Sequence, residues 1–135
     1  MKKIILFVLL LLFILVACQS NDKSRFSEVN ISKVSISKSS GFGKVNANFF
    51  TVYKDKESLD IFNNAISTAV KREGIADMAE PEFDLKVSYT DGNKQGYHLW
   101  LGEKGQKSTI MKVNDTHITY AISEEITDQL INLLK

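Results

Sequence analysis

Two histidines, His98 and His117, one cysteine, Cys18, and a few acidic pairs are the side chains of this 135-residue chain whose types lend themselves to chemistry. Each histidine falls on the polar side of an alternating segment, so the two can meet across a sheet and offer imidazole nitrogens to a ligand or ion. A metal centre takes three or four ligands, and no Cys, Asp or Glu shares that face as a clear third, so neither a metal nor a cofactor is expected. The segment Gly102-Glu103-Lys104-Gly105-Gln106-Lys107-Ser108 has the ingredients of a phosphate loop. Gln106 interrupts the required Gly-Lys-Ser order and no helix follows, so a hairpin turn is expected there. The Gly-x-Ser-x-Gly elbow of serine hydrolases is absent. Glu82, Asp84, Glu124 and Glu125 stand near element ends, where caps and solvated turns account for them. No catalytic set is predicted, and the chain is expected not to be an enzyme.

The cysteine has a different use. Met1-Lys2-Lys3 precedes an unbroken run of 14 apolar residues from Ile4 to Ala17, the order of a secretory signal peptide. A spanning helix needs about 20 such residues to cross ~30 Å of hydrocarbon, and this run stops at Cys18-Gln19-Ser20. Leu15-Val16-Ala17-Cys18 resembles the lipobox of bacterial lipoproteins, in which the cysteine is diacylated and becomes the first mature residue. That resemblance implies a lipid bilayer as a partner through acylated Cys18, at about 0.8 kcal/mol per buried methylene. It also implies a location on the outer face of a bacterial, Gram-positive type of cell membrane. Removal of the signal takes Lys2 and Lys3 with it, leaving 15 basic against 16 acidic side chains and a formal charge of −1. Such a balance offers no field for nucleic acid. Residues 1–17 are thus expected to be the signal, residues 18–27 the lipidated cysteine and a flexible tether, and residues 28–135 a single domain.

Within that domain, Val29, Ile31, Val34 and Ile36 predict a first strand whose phase changes between Ile31 and Val34, the mark of a bulge. Gly41-Phe42-Gly43 turns the chain, and Val45 to Tyr53, rich in β-branched and aromatic residues, predicts a second strand. Leu59, Phe62, Ile66, Ala69 and Val70 have helical spacing after a cap at Asp55 or Ser58, with Gly74 placed to end the helix. Beyond Pro81, four strands are expected around Leu85, Leu99, Ser108 to Val113 and Thr116 to Ile122, with Asn114-Asp115 as the last tight turn. Ser123 caps a final helix carrying Ile126, Leu130, Leu133 and Leu134.

The order strand, strand, helix, four strands, helix predicts an α+β domain. It resembles the layout of the TATA-binding-protein-like fold, in which two helices cover one face of a curved antiparallel sheet. If Tyr97, Leu99 and Leu101 face the helices, parity sends His98 and Trp100 to the opposite face with Lys86, Ser88, His117 and Thr119. Pro81-Glu82-Phe83-Asp84-Leu85-Lys86-Val87, Tyr97-His98-Leu99-Trp100-Leu101, Asp115-Thr116 and Tyr120 are similar to the YhfM-like lipoproteins of Gram-positive bacteria. That resemblance covers roughly residues 55–135 and the lipobox, and it carries over no catalytic residue.

Two functional expectations follow. The first is a membrane-tethered, non-enzymatic module that meets an envelope protein or peptide through the face of Trp100, His98, His117 and Lys86, because an aromatic on an open sheet face marks an interface. The second is a small ligand or metal-ion sensor or carrier with His98 and His117 as contacts.

Overall fold

In the computed structural model of the chain, residues 30–74 and 77–135 are described. Cys18, the expected signal and the expected tether lie outside them. The first strand, β1 (Ile31–Lys38), forms because Val34 and Ile36 bury β-branched side chains on one face while Ser35 and Ser37 alternate to the other. Its register shifts between Ile31 and Lys33, which is the bulge that the phase change predicts. The second strand, β2, is only Thr51–Tyr53, since residues from Val45 onward leave the ladder to fold over the sheet. Next comes helix α1 (Lys56–Ser67), capped by Asp55, whose carboxylate accepts from the Ser58 amide. That bond holds the Asp55 carboxyl below its ordinary range. The helix ends at Ser67, earlier than Gly74, and Val70 belongs to a short strand β3 (Val70–Lys71) instead of the helical stripe.

Four longer strands follow: β4 (Phe83–Tyr89), β5 (Lys94–Trp100), β6 (Ser108–Lys112) and β7 (Asp115–Ile122). The last turn is Val113-Asn114, because Asp115 already pairs with Lys112. All neighbours are antiparallel, in the order β2-β1-β4-β5-β6-β7-β3. Helix α2 (Glu124–Leu134) closes the chain, with Ser123 accepting from the Ile126 amide at 3.3 Å and two glutamates in its first turn. Ser123→Ala is expected to cost about 1 kcal/mol in urea denaturation, with little change in the sheet.

The α+β expectation and the antiparallel sheet with two helices are therefore correct, and β3 is the element it lacked. Leu59, Phe62 and Ala65 of α1 and Leu130 of α2 share one core with Val34, Ile36, Leu85, Val87, Leu99, Ile110 and Ile122. Both helices thus lie on one face of the sheet. The opposite, outer face carries Ser35, Ser37, Asp84, Lys86, His98 and Trp100. Gly102-to-Ser108 is a turn between β5 and β6, as expected. The buried Ser108 hydroxyl accepts from the Gly102 amide at 2.9 Å and meets the Thr127 hydroxyl at 2.8 Å, and Gly105 donates to Asp128 at 2.9 Å. These bonds tie the turn to α2.

Tyr97 lies in the core with its phenol 3.4 Å from that of Tyr89. Burial above all, and then that contact, raises its pKa beyond the usual tyrosine value. The unfolded chain releases this proton near pH 10 while the fold keeps it, so above about pH 10 the unfolded state binds fewer protons and stability falls as pH rises. Denaturation at pH 9 to 11 should show this fall, and Tyr97→Phe should flatten it.

Candidate functional site

The centre of the outer face is a carboxylate and an imidazole. Antiparallel pairing of β4 with β5 sets Asp84 directly opposite His98, in the same row as Ser37 of β1 and Met111 of β6. Asp84 and His98 are both completely buried, and His98 Nδ1 stands 2.7 Å from Asp84 Oδ1. Polar groups taken from water need partners, and here each has two.

The second partners come from the loop between β1 and β2. The Gly43 amide donates to His98 Nε2 at 3.1 Å, and the Asn46 amide donates to Asp84 Oδ2 at 2.8 Å. Ser37 Oγ donates to the Asn46 carbonyl at 2.6 Å, and Asn46 Nδ2 donates to the Lys38 carbonyl at 2.9 Å. A backbone N–H can only donate, so Nε2 must accept, and the single proton of the neutral ring sits on Nδ1 and is given to Asp84. All four polar atoms of the pair are satisfied, and the loop is latched onto the sheet through them. Gly43 enters the site with φ 90°, a conformation open to glycine, so its position in the loop suits it to present its N–H there.

Aromatic side chains gather beside the latch. Phe42 stands edge-on to His98 with centroids 5.8 Å apart and leans on Trp100 at 5.9 Å. The indole N–H of Trp100 donates to the Ala79 carbonyl at 2.9 Å, which fixes the ring. Trp100 is half-buried and Phe42 is 45% exposed. Where the loop returns to β2, Phe50 rests on Phe83 at 6.2 Å and is 52% exposed.

The predicted face residues therefore separate. His98 is enclosed and has no free nitrogen, so it offers nothing to a partner or ion in this conformation. His117, on β7, is exposed and is not among the groups that meet His98. Among the described residues, no cluster of three or more His, Cys, Asp or Glu side chains is placed to hold a metal ion. Lys86 is half-buried one row from Asp84, and Trp100 stands beside His98. The role of Asp84 and of the loop residues Gly43 and Asn46 was not foreseen. One signal was available for Asp84: it and His98 are equidistant from Asp91, the centre of the turn, so a hairpin places them face to face.

A family profile described as YhfM protein matches residues 27–135. The chain belongs to the YhfM family. Both Asp84 and His98, and every element of the fold, lie within the YhfM match, which begins well before the stretch that carried the sequence resemblance. No curated protein matches significantly. Among solved structures, a thioesterase-like protein from Clostridium sporogenes is similar, with a TM-score of 0.63 and 18% identity over 78% of this chain and 94% of that one. At this identity the likeness is one of fold. It nevertheless corrects the expectation that the chain is not an enzyme: the absence of familiar motifs cannot sustain that expectation when a protein described as thioesterase-like carries this layout. Among the described residues no helix is long and apolar enough to cross a membrane.

Proposed function

We propose that this YhfM-family chain is a lipid-anchored domain on the outer face of the bacterial membrane that engages an envelope protein or peptide through Phe42 and Trp100. The observation that carries this reading is the exposed Phe42 ring seated on Trp100, on a loop held to the buried Asp84–His98 pair. Large aromatics dominate binding energy at interfaces, and a pre-ordered loop avoids the entropy of being fixed on binding. The anchor at Cys18 precedes Asn30, and β1 then runs from Ile31 to Lys38, roughly 23 Å at ~3.3 Å per residue. Trp100 lies toward the Lys38 end, since Lys38, Phe83 and Leu99 share a row. The aromatic pair thus lies toward the Lys38 end of β1, away from Asn30.

Crosslinking capture in intact cells tests the reading. Phe42→Ala and Trp100→Ala should each abolish capture of the wild-type neighbour at unchanged protein level, and undiminished capture would contradict it. Metabolic acyl labelling should follow Cys18 and vanish in Cys18→Ala, while label that persists would contradict the anchor.

A second reading is favoured by the orientation of His98. With Nδ1–H held by Asp84, its Nε2 lone pair has the arrangement of a general base, and the structural neighbour is described as thioesterase-like. Withdrawal of Gly43 would let Nε2 take a proton from water as it adds to a thioester carbonyl, and the departing thiolate would recover that proton. Acyl-thioester turnover abolished by His98→Gln supports this; absence of turnover in the wild-type chain contradicts it.

A further inference from the structure

We infer a second site on the outer face, one that binds an amphiphilic anion between β1, β4 and β5. Strand register sets Lys33 opposite Ser88 and Ser88 opposite Lys94, so a hydroxyl stands between two lysines in one row of three strands. Lys86 is two residues along β4 and therefore on the same face. None of these three lysines is within 4.0 Å of a carboxylate oxygen among the described residues, where the ion pairs are Lys56 with Asp60, His98 with Asp84 and Lys135 with Glu82. Three unpaired cations on one patch of a nearly neutral protein attract an anion.

The hydroxyl supplies an independent sign. Ser88 is 8% exposed, and its Oγ is the one buried side-chain polar atom of the described residues that has no hydrogen-bond partner. Buried polar groups are nearly always satisfied, so an orphan hydroxyl flanked by lysines is suited to an acceptor oxygen that the chain itself does not provide. Phosphate or carboxylate oxygens fit, because they accept from a hydroxyl and from ammonium groups together.

Beside this polar corner lies an open groove of about 240 Å³, walled by Val45, Ala47, Phe49 and Val113 and bordered by Lys86 and Lys94. Its lining is mostly apolar. The ligand class that suits both halves is a phosphate or carboxylate head on a short apolar chain. Its head lies at Lys33, Lys86, Lys94 and Ser88 Oγ, and its chain lies in the groove against Val45, Ala47, Phe49 and Val113. This inference stands apart from the Phe42–Trp100 surface and does not require it.

The test is an NMR titration of the full chain in an uncharged detergent with hexyl phosphate, inorganic phosphate and hexanol. Hexyl phosphate should shift the amides of Ser88, Gly96 and Val113 and bind about tenfold more tightly than either half of the molecule alone. The double variant Lys33→Gln/Lys94→Gln should weaken it about tenfold with an unchanged circular dichroism spectrum, and Ser88→Ala should weaken it severalfold. Equal affinity for inorganic phosphate and hexyl phosphate, or unaltered binding by the folded double variant, would overturn the site. Displacement of hexyl phosphate by dihexanoyl phosphatidylglycerol would assign the head to a lipid, and its failure to compete would assign it to a free anion.

Discussion

Asp84→Ala is expected to lower folding stability by about 2–5 kcal/mol, because it leaves two buried donors, the His98 ring N–H and the Asn46 amide, unpaired at roughly 1–3 kcal/mol each. The carboxylate is completely enclosed and accepts from His98 Nδ1 at 2.7 Å and from the Asn46 amide at 2.8 Å. Alanine leaves both donors buried with no acceptor, and water does not reach them while the loop remains in place. The loop between β1 and β2 should therefore lift, exposing Phe49 and raising proteolysis between Ser39 and Phe50. Asp84→Asn keeps one acceptor oxygen but turns an amide donor toward a donor, so its stability should lie between wild type and Asp84→Ala. Urea denaturation measures all three; an Asp84→Asn protein as stable as wild type would mean that the charge has no part in the latch.

Gly96→Ala is expected to cost about 1–3 kcal/mol, as overpacking does in closely fitted sites. A Cβ at this position would stand 2.6 Å from a methyl of Val45 and 2.8 Å from one of Val113. Val45 belongs to the loop over the sheet, and Val113 to the turn after β6. The new methyl group acts as a wedge beneath the loop near the point where Asn46 reaches Asp84. Hydrogen exchange of the Asn46 amide should accelerate in Gly96→Ala, and adding Val45→Ala should restore much of the lost stability by making room. Unchanged stability in the single variant would mean that the valines do not cross the strand as described.

Much of the frame was legible because it rests on local chemistry. Period-two alternation of Leu85, Val87 and Tyr89 and of Tyr97, Leu99 and Leu101 gave two strands and sent Lys86, Ser88, His98 and Trp100 to one face, so His98 was correctly placed away from the helices. Caps with short polar side chains narrowed the first helix start to Asp55 or Ser58, of which Asp55 is the cap, and located the second at Ser123. What lay beyond reach was tertiary. Val45 to Tyr53 has the composition of a strand, yet Asn46 spends its amide on Asp84, its side-chain nitrogen on Lys38 and its carbonyl on Ser37, and these bonds draw the segment across the sheet instead of along its edge. Val70 has helical phase with Ile66, but its amide and carbonyl face β7, and pairing with Ala121 overrides the helix. Asp84 looked like an end-of-element acid because a carboxylate inside a strand is costly alone. Only the imidazole across the hairpin and the loop above it make that position tenable.

The most direct measurement is nitrogen-15 NMR of the His98 ring near neutral pH, with hydrogen exchange of the Gly43 and Asn46 amides followed in the same sample. A latched loop predicts a ring protonated at Nδ1 and bare at Nε2, a coupling across the hydrogen bond from the Gly43 amide to Nε2, and slow exchange at both amides. A ring protonated at Nε2, with Gly43 and Asn46 exchanging as freely as an open loop, would contradict it.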